Sequence, residues 1–232
     1  YGLPFLSVTR LFFAISTIAF TIYMIPGLWG APLNGISGWL PENKTQDFNI
    51  EKLIRNSAQQ NTNTASLSPG KQIKPKKYIG LLQSEIPGVE TFFDYEEGLA
   101  AAKELKKPIM IDFTGHSCAN CRKMESQVLS KPEVSSILQN DFIVISLYVD
   151  EKKELPENEK YTSAFDQSSI KTIGAKNLDI EATLANSNAQ PLYLFLDEKG
   201  KLIKDGGGFE PGIPRFISML SEVKAENRKR NP

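Results

Sequence analysis

The chain has only two cysteines, Cys118 and Cys121, and their spacing constrains the fold more than any other feature of the sequence. They follow the apolar run Ile109 to Thr114, which is typical of a buried strand, and they open a helical pattern that continues to Leu129. Unpaired N–H groups and the positive dipole end at the start of a helix stabilise a thiolate. We therefore expect Cys118 to be a nucleophilic thiol and Cys121, one turn further on, to resolve a mixed disulfide.

Two other interpretations of the cysteine pair remain open, a structural disulfide and one half of a shared metal site. One histidine and two cysteines are too few for a closed four-ligand zinc site unless carboxylates contribute. The 27 basic and 27 acidic residues balance, which excludes a broad electrostatic nucleic-acid binder. The sequence has no phosphate-binding glycine loop, dinucleotide fingerprint or serine–histidine pattern. We therefore expect no metal, no nucleic-acid partner and no cofactor other than a redox-active Cys118–Cys121 disulfide.

The N-terminal part of the chain has no charged residue from Leu11 to Pro41, a run long enough to cross a membrane. Arg10 precedes this run and Trp29 lies toward its other end, where an aromatic ring suits the headgroup region. We predict that residues 1–41 form a transmembrane helix and an interface segment, with residues 11–30 in the lipid bilayer. Arg10 would mark the cytoplasmic side, so the rest of the chain would lie outside the cytoplasm. A signal peptide and a buried core helix are the alternatives.

The remainder of the chain divides into a polar segment and a domain in which helical and strand patterns alternate. Residues 42–84 are predicted to be a flexible linker, because much of the segment is rich in Asn, Gln, Ser, Thr and Lys. Residues 85–232 are predicted to be an α/β domain, whose first two strands are parallel because a crossover helix joins them. The predicted helices cover about residues 94–105, 118–129, 134–138, 177–186 and 214–227, and the predicted strands cover 109–114, 142–149 and a hairpin over 191–204.

Several motifs carry a resemblance to a known family. The segment from Ile111 to Lys123 resembles the thioredoxin active site, and Gln190-Pro191 before a strand is similar to the cis-proline loop of that fold. Cys-Ala-Asn-Cys-Arg-Lys-Met-Glu (118–125), Leu-Tyr-Val-Asp (147–150) and Ala-Gln-Pro-Leu-Tyr (189–193) most resemble the C-terminal periplasmic domain of DsbD-type thiol:disulfide interchange proteins, a family of cytochrome c biogenesis. The upstream segment Tyr23 to Leu33 is similar to the last helix of that family's membrane domain. The resemblance implies a thioredoxin-like fold, with a central mixed sheet flanked by helices, after one transmembrane helix and a flexible linker.

The resemblance also implies a function, that of a membrane-tethered protein-disulfide reductase. Its location would be the bacterial inner membrane, with the thioredoxin-like domain in the periplasm. It would receive electrons from a membrane electron-conducting domain of the same or a longer chain, and pass them to periplasmic disulfide proteins. Because the chain begins with Tyr1, we expect it to be processed or to be part of a longer polypeptide. A tethered thiol oxidase or isomerase, or a non-enzymatic haem or metal chaperone, are the alternative functions.

Five further residues receive roles from this resemblance or from their distance to the cysteines. Asp112 matches the buried acid that relays a proton to or from the resolving cysteine, and Glu125 resembles a second acid on the helix face of the cysteines. Pro191 is expected to be cis, with the backbone of Gln190 pairing with an extended substrate strand. His116, when protonated, would favour the thiolate. Four of these residues also have an ordinary explanation. Asp112 could be an exposed acid at a strand end, and Glu125 could be a solvated helix residue. Pro191 could be a trans proline, and His116 could be an exposed loop residue.

Overall fold

The structure is a computed structural model that describes residues 7–29, 33, 36 and 73–230. The chain divides into two compact units, Tyr1–Gly70 and Lys71–Pro232. Most of the predicted linker, residues 42–72, lies outside the described residues. Residues 73–84, which the sequence also places in the linker, belong to the second unit, where Leu82 is only 2% exposed.

The first unit contains one long apolar helix, α1 (Val8–Met24), followed by a 3-10 turn (Ile25–Trp29). The hydroxyls of Thr17 and Thr21 each donate to a carbonyl four residues earlier at 2.8 Å, so these polar groups are satisfied within the helix. The span Val8–Trp29 has a mean hydropathy of 1.9 and buries none of its side chains. By length and composition it is a candidate transmembrane span, and a signal sequence near the N-terminus would pass the same test.

The second unit alternates strands and helices. Its strands are β1 (Thr91–Phe92), β2 (Ile109–Thr114), β3 (Ile143–Tyr148), β4 (Tyr161–Thr162), β5 (Ser169–Ile170), β6 (Leu192–Leu196) and β7 (Leu202–Gly207). Its helices are α2 (Tyr95–Leu105), α3 (Ala119–Met124), α4 (Pro132–Asp141), α5 (Ile173–Ala185) and α6 (Ile213–Arg230). Helix α3 continues directly into a π-helical turn, Glu125–Leu129.

Five strands form a mixed sheet in the order β1-β3-β2-β6-β7. Strands β1, β3 and β2 are parallel to each other, whereas β6 and β7 are antiparallel to their neighbours. The central strand is β2, which also leads into the cysteine motif. Its residue Asp112 is opposite Ser146 on β3 and Tyr193 on β6. Because side chains alternate along a strand, these three side chains lie on the same face of the sheet as Met110.

Helices cover both faces of this sheet. On the first face, Met110 and Phe195 belong to an apolar cluster with residues of α3, α4 and α6. On the second face, strand residues pack with residues of α2 and α5, and the buried ones are all apolar: Phe92, Ile109, Ile111, Phe113, Ile143, Ile145, Leu147, Leu192, Leu194 and Leu196. Helix α2 lies so close to the sheet that a Cβ at Gly98 would meet Cδ1 of Ile145 at 2.4 Å. A side chain at this position would therefore force the Ile145 side chain to shift.

The start of α2 resembles a capping box with one difference. The Asp94 carboxylate accepts a hydrogen bond from the Glu97 N–H at 3.1 Å, as an N-cap does. The Glu97 carboxylate instead accepts from the backbone N–H groups of Lys76 and Lys77, at 2.7 and 3.1 Å. Glu97 therefore holds the segment that precedes the domain.

The structure differs from the predicted elements in three places. Strand β1 has two residues, too few to give an alternating pattern. The predicted loop from 150 to 174 contains the short hairpin β4–β5. Helix α5 begins at Ile173 rather than near 177, because the Thr172 hydroxyl caps it by accepting from the Ala175 N–H at 3.1 Å. Because glycine disfavours a helix, Gly174 gives no indication of this start in the sequence. A Cβ at Gly174 would lie 2.6 Å from the Val149 carbonyl oxygen, so the close approach needs glycine.

Candidate active site

The two cysteines are joined in a disulfide at the junction of β2 and α3, with an S–S distance of 2.03 Å. Cys118 is the N-cap of α3, and its Sγ accepts a hydrogen bond from the Cys121 N–H at 3.1 Å. Cys118 is half-buried, whereas Cys121 is 1% exposed. An external thiolate can therefore reach Cys118 and not Cys121, which is the asymmetry that a nucleophilic and a resolving cysteine need.

A carboxylate from the neighbouring strand end fixes the loop before the cysteines. Asp150 accepts hydrogen bonds from the backbone N–H groups of His116 and Ser117, at 2.8 and 3.0 Å. The His116 ring lies 4.6 Å from the Tyr148 ring, centroid to centroid, and its Nε2 is 3.0 Å from a carboxylate oxygen of Glu151. The structure thus places the imidazole in an ion-pairing position with Glu151, and an influence of His116 on the thiolate stays a prediction.

The predicted proton-relay residue, Asp112, is buried rather than exposed at a strand end. Its side chain is 3% exposed, and the Ser146 hydroxyl donates to its Oδ2 at a long 3.5 Å. Its Oδ1 has no hydrogen-bond partner within the described part of the chain. Burial raises the pKa of Asp112 to about 7, although the positive charge of Arg122 and the Ser146 contact act in the opposite direction. Asp112 can therefore gain or lose a proton near neutral pH.

The second predicted acid, Glu125, is also buried, at 6% exposure. Its Oε1 lies 2.9 Å from Nη2 of Arg122, and the Thr114 hydroxyl donates to the same oxygen at 3.4 Å. Burial raises the pKa of Glu125 well above its usual range, and the nearby Asp112 adds to this, while Arg122 opposes it. A second buried carboxyl group therefore lies one turn beyond the resolving cysteine.

Arg122 supplies a positive charge to this site. The sequence does not indicate that its side chain points inward, because a basic residue on a helix is usually solvated. Its side chain is 12% exposed. Its Nη2 donates to the Thr114 hydroxyl at 3.1 Å and to the Gly115 carbonyl at 3.3 Å, and its Nη1 lies 3.7 Å from Oε1 of Glu85. The guanidinium therefore joins the end of β2 to α3 and balances the charge of two carboxylates.

Tyr193 is a further buried polar residue that the sequence analysis did not single out for a role. It is 1% exposed, and its hydroxyl has no hydrogen-bond partner among the residues that the structure describes. Burial raises the pKa of Tyr193, and Asp112 and Glu125 raise it further. The phenol therefore stays neutral beside the two acids.

The proline loop lies at the start of β6. The bond between Gln190 and Pro191 is cis, the isomer that the resemblance implies. Pro191 is buried and Gln190 is half-buried, and the Gln190 side-chain amide donates to the carboxylate of Glu181 at 2.7 Å. A Cβ at Gly208 would lie 3.2 Å from the Pro191 carbonyl oxygen, so the glycine run after β7 passes close to this loop.

No group of three or more His, Cys, Asp or Glu side chains in residues 7–29, 33, 36 and 73–230 is arranged to hold a metal ion.

Comparisons with known proteins give the following similarities. A family model described as thioredoxin-like matches residues 90–197. Anterior gradient protein 3 of Mus musculus is 34% identical over 53 residues, which are 23% of this chain and 32% of that protein. The chain thus matches about a third of the length of this curated relative.

The solved structures to which this chain is similar include the following two. The DsbH oxidoreductase is 24% identical, with 73% of this chain and 98% of that chain covered and a TM-score of 0.43. A thioredoxin from Thermus thermophilus is 24% identical, with 62% and 93% covered and a TM-score of 0.43. The family match and the observed sheet order confirm the predicted fold class. Residues 90–197 therefore belong to a thioredoxin-like α/β domain, whose Cys-x-x-Cys pair is joined in a disulfide.

Proposed function

We propose that the chain is a thiol:disulfide oxidoreductase that acts as a protein-disulfide reductase of the DsbD type. The observation that carries this proposal is the Cys118–Cys121 disulfide, in which one sulfur is accessible and the other is buried beside ionisable groups. A purely structural disulfide does not need a buried acid with a pKa near 7 on the adjacent strand.

The reaction begins with the reduced pair. The Cys118 thiolate attacks one sulfur of the substrate disulfide, forms a mixed disulfide and releases the other substrate sulfur as a thiolate, which takes a proton. Cys121 then loses its proton and attacks Sγ of Cys118, which breaks the mixed disulfide and releases the second substrate thiol. Two electrons pass from the enzyme dithiol to the substrate, and the Cys118–Cys121 disulfide forms. The electron pair moves between sulfur atoms, so no further cofactor is required.

The buried acids supply the proton transfer that this sequence needs. Cys121 is buried, so water cannot readily take its proton, and Asp112 lies on the strand beneath α3. A carboxylate whose pKa is about 7 accepts that proton at neutral pH and returns it when the disulfide is reduced again. Glu125 and Arg122 form the ion pair beside it, and this pair influences the charge of Asp112.

We assign substrate binding to the loop of Gln190 and Pro191. This loop leads into β6, the strand next to the one that carries the cysteine motif. An extended substrate segment would pair with the backbone of Gln190, which brings its disulfide to Cys118. His116, in the loop before the cysteines, would contribute to the same surface.

The apolar helix α1 supports a membrane tether. Its span, Val8–Trp29, is long and apolar enough to cross a bilayer. We propose that it anchors the domain in the bacterial inner membrane, with the domain in the periplasm. The electron donor would be a membrane electron-conducting domain of the same or a longer chain, and the acceptors would be periplasmic disulfide proteins.

The reduction potential of the full chain in detergent micelles tests the direction of this chemistry. We expect the Cys118–Cys121 pair to equilibrate with thiol buffers at about −220 mV or below, as a reductase requires. A value near about −120 mV would instead indicate a thiol oxidase. If no intramolecular disulfide forms, the proposed mechanism is wrong, and metal binding by the pair becomes the explanation to pursue.

A trapping experiment tests the roles of the two sulfurs. We expect Cys121→Ser to accumulate a mixed disulfide between Cys118 and a substrate protein, because nothing resolves it. The matched variant Cys118→Ser leaves only the buried sulfur and should trap almost none. Equal trapping by both variants would contradict the assignment.

A further inference from the structure

Helix α5 has two polar residues on its buried side. Asn177 and Glu181 are four residues apart, so they lie on the same face of the helix, and both are buried. The Asn177 side-chain amide donates to the Tyr148 carbonyl at 2.9 Å, next to the loop that holds the cysteines. Glu181 accepts from the Gln190 side-chain amide at 2.7 Å, at the proline loop. One helix therefore contacts both the end of β3 and the proline loop.

Glu181 is an unusual choice for this position if it serves packing alone. It is 0% exposed, and its Oε1 has no hydrogen-bond partner in the described part of the chain. Burial of a carboxyl group is unfavourable, whereas an apolar side chain of similar size would avoid that cost. Burial raises the pKa of Glu181 to about 7, and the Gln190 amide and the Ala189 N–H oppose this rise. The contact with Gln190 is thus the one that favours its charged form most.

The contact fixes the residue that precedes the cis-proline. A hydrogen bond of 2.7 Å to a carboxylate is short and charge-assisted, so it limits the rotation of the Gln190 side chain. Gln190 is only half-buried, so its backbone would otherwise have more freedom than that of a core residue.

We propose that Glu181 is a positioning residue for substrate binding, which holds Gln190 so that its backbone can pair with an extended polypeptide segment of the disulfide substrate. The inference rests on the proposed function. It also specifies the substrate class, because a protein substrate uses this backbone pairing and a small aromatic disulfide does not.

Three variants of the full chain in detergent micelles test the proposal. Glu181→Leu removes the acceptor and keeps an apolar side chain at the buried site. Glu181→Gln keeps a carbonyl oxygen that can accept from Gln190. Asp179→Asn is the matched control, since it changes the other carboxylate of α5, which accepts from the Tyr161 hydroxyl at 2.7 Å in the β4–β5 hairpin.

The first measurement needs no activity. We expect amide hydrogen exchange at Ala189 and Gln190 to become about tenfold faster in Glu181→Leu, and to stay within twofold of the original rate in Glu181→Gln and Asp179→Asn. Unchanged exchange in Glu181→Leu would overturn the proposal.

The second measurement separates binding from chemistry. With insulin as the protein substrate and dithiothreitol as the electron donor, Glu181→Leu should raise KM about tenfold and change kcat less than twofold. Its rate with the small disulfide 5,5′-dithiobis(2-nitrobenzoate) should change less than twofold, and Glu181→Gln should restore most of KM. KM with insulin, kcat with insulin and the rate with the small disulfide could instead all worsen together in Glu181→Leu, without rescue by Glu181→Gln. That result would indicate a merely structural role for Glu181 and refute the proposed positioning role.

The two hypotheses fail in different ways. If the unaltered chain does not reduce insulin, the proposed function is wrong, and the exchange rates still decide whether Glu181 holds the loop. If the unaltered chain is active and Glu181→Leu keeps its KM, only the role of Glu181 is wrong.

Discussion

The buried carboxyl group of Asp112 makes the folded domain less stable as the pH rises. Its pKa is raised from 3.8 to about 7, so the folded chain holds this proton more tightly than the unfolded chain does. Stability is therefore lost as the pH increases through that range. One pKa unit corresponds to about 1.4 kcal/mol, so the difference amounts to about 4 kcal/mol between pH 4 and pH 8. Asp112→Asn removes the ionisation and with it this dependence.

The quantity to measure is the difference in the free energy of unfolding between Asp112→Asn and the unaltered chain, at several pH values. We expect this difference to shift by about 4 kcal/mol in favour of the variant from pH 4 to pH 8. A pH-independent destabilisation by the amide would not change this shift. Urea unfolding of the oxidised chain is best monitored by far-UV circular dichroism. Tryptophan fluorescence is less suitable, because both tryptophans, Trp29 and Trp39, precede the domain. Loss of the Asp112 charge also lowers the pKa of Glu125, which acts in the same direction. Parallel pH curves for the two proteins would refute the reasoning.

Substitutions at three other contacts are tested by their effect on the free energy of unfolding. Arg122→Met should cost about 3 kcal/mol at pH 8 and less as the pH is lowered and Glu125 becomes protonated, and an equal loss at all pH values would contradict the ion pair. Asp150→Ala should cost about 1 to 3 kcal/mol and speed amide exchange in the loop before the cysteines, whereas Asp150→Asn, which keeps an acceptor, should cost less. Gly98→Ala should cost about 1 to 3 kcal/mol despite better helix propensity. The double variant Gly98→Ala/Ile145→Ala should lose less unfolding free energy than the sum of the losses in the two single variants. Additive losses would argue against the close contact.

The sequence could predict those parts of the site that depend on local patterns. The apolar run before Cys118 and the helical pattern after it define a strand and a helix, and their junction is where the disulfide lies. The resemblance to the thioredoxin active site implies that Asp112 is buried, and its place within an apolar run is consistent with this. These inferences need no knowledge of distant residues.

The remainder of the site depends on contacts between residues that are far apart in the sequence. Arg122 and Glu181 are charged residues on helices, and such residues are usually solvated. Only the packing of α3 against β2 shows that Arg122 points toward Glu125 and Thr114. Only the approach of the proline loop shows that Glu181 meets Gln190. The early start of α5 is hidden for a related reason, since Gly174 discourages a helix locally and is required by a tertiary contact.

The two faces of the sheet carry different kinds of side chains. One face presents only apolar strand residues to α2 and α5, while the other places Asp112, Ser146 and Tyr193 beneath α3. Substitutions on the polar face can therefore alter proton affinity and redox behaviour without removing a packed apolar contact from the opposite face. Sequence divergence at these three positions can adapt the chemistry of such a domain to a new partner, while the apolar residues around them and on the opposite face maintain the fold.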